Sequence, residues 1–235
     1  MGLDLLGTQN QLVQKIHETG VPTIVVLVGG RPLSVNWIAQ NVQALVQAWE
    51  PGSLGGRALA NILAGKVNPS AKLPISIPRH SGQIQMIYNH KPSQYFHKYI
   101  DGPSTPLYPF GFGLSYTRFA YSSLKLSHTR ISDKDSFTAS IELTNVGDRE
   151  GTEVVQLYIR DIYSSATRPV KELKDFARVT LKPGEKKTVT FTVTPDKLAY
   201  WNRNMQYGVE KGEFEIMIGS SSQDKDLKKV KMEVL

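Results

Sequence analysis

Between Pro106 and Phe119 the chain reads Pro106-Leu-Tyr-Pro-Phe-Gly-Phe-Gly-Leu-Ser-Tyr-Thr-Arg-Phe119. This stretch separates two kinds of sequence. Pro106 and Pro109 lack backbone donors and exclude a helix interior or a central strand. Gly111 and Gly113 admit backbone angles that a Cβ disfavours. Five aromatic residues alternate with these breakers, so the segment is expected to be packed down, whereas a swinging linker would be Gly/Ser-rich. A chain carrying such a stretch at its middle is expected to fold as two units that meet near residues 110–120.

Upstream, helical and strand periods alternate. Leu5, Leu12, Val13 and Ile16 recur at helical spacing, with Gly20 as a stop. Thr23–Val28 is a β-branched run of the kind found in parallel strands covered on both faces. Asn36–Asn41 reads as a short helix, Ala44–Trp49 as a second buried strand and Gly55–Leu63 as a helix stopped at Gly65. Lys72–Pro78 reads as a short edge strand bracketed by prolines. The order is β-α-β-α-β, an open sheet with flanking helices. Two strands and an edge are few for an independent α/β domain, so residues 1–80 are expected to be the tail of a larger sheet. They should expose an apolar edge or helix face.

Residues 81–118 lack regular periodicity and are rich in Pro, Gly, His and Tyr, which suggests a long ordered loop and connector. From Phe119 the period becomes two. Apolar residues alternate with polar ones at Phe137–Leu143, Val155–Ile159, Val189–Val193, Phe214–Ile218 and Val230–Val234. Turn signals lie between them at Asn145-Val-Gly-Asp, Lys182-Pro-Gly-Glu185 and Lys211-Gly. Residues 119–235 are therefore expected to form an all-antiparallel two-sheet sandwich without a helix longer than two turns.

Bulk properties remove several classes. The chain has 235 residues, no cysteine and a formal charge of +7, so disulfides, thiol catalysis and cysteine metal sites are excluded. The lysines near the C-terminus alternate with Asp224, Asp226 and Glu233, a pattern of edge protection and not of a nucleic-acid stripe. No apolar run is long enough for a membrane span, and the N-terminal residues do not read as a signal peptide.

The motifs Trp49-Glu-Pro-Gly-Ser-Leu-Gly-Gly56, Asn68-Pro-Ser-Ala-Lys-Leu-Pro74 and the Pro106–Phe119 connector resemble the C-terminal half of family 3 glycoside hydrolases, the β-glucosidase and β-xylosidase family. Glu153–Asp161, Arg168–Phe176 and Leu181–Glu185 resemble the fibronectin type III-like domain that often ends these enzymes. The resemblance implies an α/β fragment, an aromatic connector and a fibronectin type III-like antiparallel sandwich. It also implies a retaining β-glycosidase, β-glucosidase above β-xylosidase, acting at non-reducing ends without a cofactor. Its nucleophile Asp would lie on an N-terminal barrel and its acid/base Glu upstream of a segment resembling Leu3–Leu12. Both would precede Met1, so neither role falls on a residue of this chain, which would be inactive alone. The partners implied are the missing barrel portion and β-glycosides, in a periplasmic or extracellular parent. A stand-alone carbohydrate- or protein-binding module, or a scaffold subunit for a separately encoded barrel, is the alternative.

Within the chain, Glu50 is the carboxylate best placed for chemistry, at the C-terminal end of a strand where open α/β sheets bind ligands; a capping role at the Pro51-Gly52 turn is the alternative. The loop Met86–Tyr99 offers Tyr88, Asn89, His90, Lys91, Tyr95 and Tyr99, whose rings can stack on sugar C–H faces and whose polar groups can bond hydroxyls. The alternative is that the tyrosines bury against the sandwich. Gly29-Gly30-Arg31-Pro32 lacks the phosphate-loop patterns, and the histidines lack metal-site spacing.

Overall fold

The computed structural model describes residues 2–83, 85–92, 100 and 102–235. They form two compact units. The first holds the described residues of 1–67, 75–86 and 99–108, and the second those of 68–74, 87–98 and 109–235.

In the first unit, α1 (Gln9–Glu18) is followed by β1 (Ile24–Val28), α2 (Asn36–Asn41), β2 (Ala44–Trp49) and α3 (Gly55–Leu63). α2, β2 and α3 fall where the periodicity places them, while α1 begins at Gln9 and leaves Leu5 outside the helix. Gly20 and Gly65, both with positive φ, follow α1 and α3 as C-terminal stops. β1 and β2 pair in parallel, Ile24 opposite Ala44 through Leu27 opposite Gln47. Leu27, Val35 and Ile38 are the buried centre, packed by Leu5, Val13, Trp37, Leu45 and Leu107.

Two expectations are corrected here. β1 is not covered on both faces: Val25 and Leu27 pack into the core, whereas Ile24 and Val28, on the other face, are 50% and 63% exposed because no element among the described residues buries them. The edge strand over 72–78 does not form. Pro74 and Pro78 remove donors, leaving an isolated antiparallel bridge between Ile77 and Tyr108.

The second unit is a sandwich. Its strands are β3 (Phe119–Tyr121), β4 (Lys125–Leu126), β5 (Arg130–Ile131), β6 (Phe137–Asn145), β7 (Gly151–Asp161), β8 (Glu172–Leu181) and β9 (Lys186–Val193). After the one-turn α4 (Pro195–Leu198) come β10 (Tyr200–Trp201), β11 (Tyr207–Gly208), β12 (Gly212–Gly219) and β13 (Leu227–Val234). One sheet runs β5-β13-β12-β7-β8; in the other, β3 and β4 share one edge of β6 while β9 takes the opposite edge. Phe137, Ile141, Val155, Leu157, Phe191, Phe214 and Ile216 lie between the sheets, all buried. The alternation that marked β6, β7, β9, β12 and β13 is the inward half of each pleat.

The sandwich is not wholly antiparallel. β5 lies parallel to β13, with Arg130 opposite Glu233 and Ile131 opposite Val234. The chain leaves the β3/β6/β4 sheet after β4 and crosses to the far edge of the other sheet, where it arrives running in the direction of the C-terminal strand.

β7 departs from the alternating picture in a second way. Its outward-facing Gln156 and Tyr158 are also buried. The connector and the loop before it cover that face: Tyr158, Met217 and Leu227 pack with Tyr88, Phe110 and Leu173. The amide of Gln156 donates to Gly111 O and Ser220 O at 3.1 and 2.7 Å. Phe110 O accepts both the N–H and the hydroxyl of Ser222, at 3.0 and 2.9 Å. The connector is thus packed down, as its aromatic content requires.

Candidate functional site

At the C-terminal ends of β1 and β2 the backbones converge. Gly29 N–H donates to Trp49 O at 3.0 Å, and the register slips between Leu27 and Val28. Trp49 closes β2 with φ 53°, a left-handed conformation costing about 1–3 kcal/mol for a bulky residue. That turn sends Glu50 back over Gly30, where a Cβ would sit 2.9 Å from Glu50 Oε1. Glycine at position 30 therefore makes room for the carboxylate, which is exposed. The described residues of this unit contain three carboxylates, Asp4, Glu18 and Glu50. Glu18 accepts from Lys15 at 2.7 Å on α1. The arrangement offers one carboxylate on a rigid strand end.

The aromatic loop lies in the sandwich unit. Tyr88 stacks on Phe110 at 4.1 Å with a 16° tilt and meets Tyr158 edge-on. Its hydroxyl oxygen accepts from Leu173 N–H at 3.3 Å, and burial raises its pKa above the usual phenol value. One ring face is covered by protein, so in this structure Tyr88 anchors the loop. His90 O accepts from Val170 N–H at 3.0 Å, and its Nδ1 lies 3.0 Å from Lys91 O. Asn89 and His90 are half-buried and Lys91 is exposed. The structure brings Tyr88, Asn89, His90 and Lys91 together on one pinned turn. Tyr95 and Tyr99 lie outside the described residues.

The segment held by this turn leads into a polar cluster that residue patterning did not single out. The Arg168 guanidinium sits 4.4 Å over the Tyr200 ring, 3.9 Å from Asp161 Oδ2 and in hydrogen-bond contact with Glu172. Asp161 is buried, and burial, opposed by Arg168, pushes its carboxyl up to about 6. A pocket of about 150 Å³ is lined by Pro92, Arg160, Asp161, Tyr163, Arg168 and Val170 among others. Pro92, within the aromatic loop, is part of this lining. The sequence signal for this cluster was present in the Arg168-Pro-Val-Lys-Glu172 stretch, but pairing with Asp161 and Tyr200 depends on strand order.

A second buried cluster fastens residues 68–74 to the sandwich. Lys72 Nζ reaches Glu153 Oε1 and Gly113 O, each at 3.0 Å, and the Tyr121 hydroxyl donates to Glu153 at 3.1 Å. Burial raises the Glu153 pKa despite Lys72. Asn68 Oδ1 accepts from Ser115 Oγ and Tyr116 N, both at 2.8 Å, while its amide donates to Glu150 O at 2.9 Å. Among the described residues no group of three or more His, Asp or Glu converges in a way that could hold a metal ion.

Residues 1–116 match the glycosyl hydrolase family 3 C-terminal domain, and residues 153–222 match a fibronectin type III-like domain. A β-xylosidase of Formosa agariphila is 47% identical over 99% of this chain and 32% of its own length. A periplasmic β-glucosidase of Salmonella typhimurium is 44% identical over 92% of the chain and 29% of its own. The solved structure of a β-glucosidase from Erythrobacter marinus superposes with a TM-score of 0.95 at 43% identity, over the whole chain and 31% of that structure. The chain spans about a third of the length of the curated relatives it matches.

Proposed function

We propose, because this chain belongs to glycosyl hydrolase family 3 and comprises its C-terminal domain and fibronectin type III-like domain, that it is the C-terminal portion of a retaining β-glycosidase. The whole enzyme removes non-reducing terminal β-linked sugars, with β-glucosides ahead of β-xylosides. This portion supplies the end of the α/β sheet, the aromatic loop and the sandwich. Its partner is the remaining two thirds of the length seen in the relatives, and its substrates are oligo- or aryl-β-glycosides. A compartment outside the cytoplasm is proposed from the relative named as periplasmic.

One observation carries the reading: identity near 45% to glycosidases over almost the whole chain, but only about a third of theirs. The chemistry agrees with a portion that does not turn over alone. Retention needs two carboxyl groups about 5–5.5 Å apart. Glu50 is one exposed carboxylate, and Glu18 is ion-paired on α1. In the complete enzyme Glu50 stands at the sheet end, while Asn89, His90 and Lys91, with Tyr95 and Tyr99, contribute to the substrate cleft. Tyr88 holds that loop in place.

The test is hydrolysis of aryl β-glucoside and aryl β-xyloside by the purified chain between pH 4 and 8, alone and mixed with a barrel-bearing N-terminal portion. No turnover is expected alone, and activity is expected in the mixture or the full-length enzyme. Saturable hydrolysis by the chain alone that disappears in Glu50→Gln would overturn the proposal.

A further inference from the structure

The ribbon of β10 and β11 shows solvent an aromatic pair that the core does not use. Trp201 and Tyr207 are register partners, so their side chains share one face. They are 62% and 53% exposed, with ring centroids 5.4 Å apart and planes tilted by 52°. The opposite face anchors the ribbon. Tyr200 is buried there beneath Arg168, and its hydroxyl oxygen accepts from Ser165 N–H at 3.1 Å. The tip is equally fixed. Asn202 Oδ1 accepts the N–H groups of Asn204 and Gln206 at 2.9 and 3.1 Å, and Met205 is held at φ 58°. A non-glycine residue in that region is strained, and the turn maintains it to keep the two rings in register.

The rim is mostly polar and carries one cation: Arg203, Asn204 and Gln206 are exposed beside the rings, with Met205 76% exposed at the tip. Amides and a guanidinium can bond hydroxyls, and ring faces can cover C–H surfaces. Two tilted rings on an open ribbon cannot enclose a small ligand, so they suit an extended one. A neutral polymer with alternating apolar faces and hydroxyl edges fits this surface better than a charged peptide or nucleic acid.

We propose that Trp201 and Tyr207 form a surface site for a neutral β-linked glycan chain. The site is non-catalytic and holds polymer on the sandwich. It rests on membership of a glycosyl hydrolase family for the ligand class, and not on the proposed catalytic role. Binding without turnover therefore keeps the two separable.

The experiment is affinity gel electrophoresis of the full chain in gels containing soluble mixed-linkage β-glucan or unsubstituted β-1,4-xylan. Retention on a phenyl-substituted matrix serves as the control for general stickiness. Retardation by at least one glycan is expected. Trp201→Ala and Tyr207→Ala should each weaken it roughly tenfold, the loss typical of an aromatic anchor, and Tyr207→Phe should retain it. Both side chains are exposed, so the variants should melt with the wild type; Tyr207→Ala with Trp201→Phe carries the test if Trp201→Ala does not fold. No retardation by either glycan, or equal retardation of the variant carrying both Trp201→Ala and Tyr207→Ala, would each overturn the proposal. Retention on the phenyl matrix that this double variant loses, without retardation by either glycan, would mark the ribbon as a contact for protein or another aromatic surface.

Discussion

Asp161 shows how one residue carries a pH signature for the fold. Its carboxyl is raised from about 3.8 to about 6, first by burial, against the pull of Arg168. A raised folded pKa means the folded state binds the proton more tightly than the unfolded chain. The stabilisation is complete below pH 3.8 and is lost as pH rises through about 6. At 1.36 kcal/mol per pKa unit the loss is about 2–3 kcal/mol. Asparagine keeps the shape and cannot ionise. The stability of Asp161→Asn relative to wild type should therefore improve by about that amount between pH 4 and 7 in urea unfolding. A difference that does not change with pH would exclude Asp161 as the titrating group. Glu153 is also raised by burial and acts in the same direction. The sequence named neither carboxylate as special, because nothing in Glu153–Asp161 as a string says which residues lie under a connector or beside a cation.

At the scale of elements, the connector and β7 are one construction. Gly111 has φ +78°, and a Cβ there would overlap the Gln156 amide. Gly184, at φ +75°, has nothing within 4 Å of its Cβ position. Alanine at 184 should cost about 1 kcal/mol for the backbone alone. At 111 it must also displace a buried amide bonded to Gly111 O and Ser220 O, so a cost of about 2–4 kcal/mol is expected. Equal losses at the two positions, read from urea midpoints, would show that the connector does not press on β7. The prolines and glycines marked this segment as a packed breaker in the sequence. The strand it covers did not declare itself, since Gln156 and Tyr158 sit at positions that period two assigns to solvent. The same covering determines the part played by Tyr88: its ring lies under Phe110, while Asn89, His90 and Lys91 stay on the turn.

For the whole molecule, the two units differ in how much core each has. The sandwich encloses a continuous buried cluster from Leu124 to Val234, whereas Leu27, Val35 and Ile38 are the fully buried centre of the α/β unit among the described residues. Leu12, Val21, Ile24 and Val28 are 50–63% exposed there. Open strand edges and apolar patches of this kind recruit partners. The purified chain should therefore self-associate through residues 1–80, and Val21→Lys with Val28→Lys should reduce the apparent mass in light scattering. A monodisperse monomer for the unmodified chain would refute this reading of the surface.

Local physics made the elements legible: β-branched runs, period-two alternation and glycine stops act over a few residues and need no neighbours. They placed α2, β2, α3 and the sandwich strands β6, β7, β9, β12 and β13 but not β8, and the motif strings led to the family. What tertiary structure alone decided are relations between distant residues. The parallel contact of β5 with β13, the second buried face of β7, the strained turn at Trp49 beside Glu50 and the ribbon carrying Trp201 opposite Tyr207 all depend on which strands become neighbours. Strand order is set by packing of the whole unit, and no window of the sequence contains it.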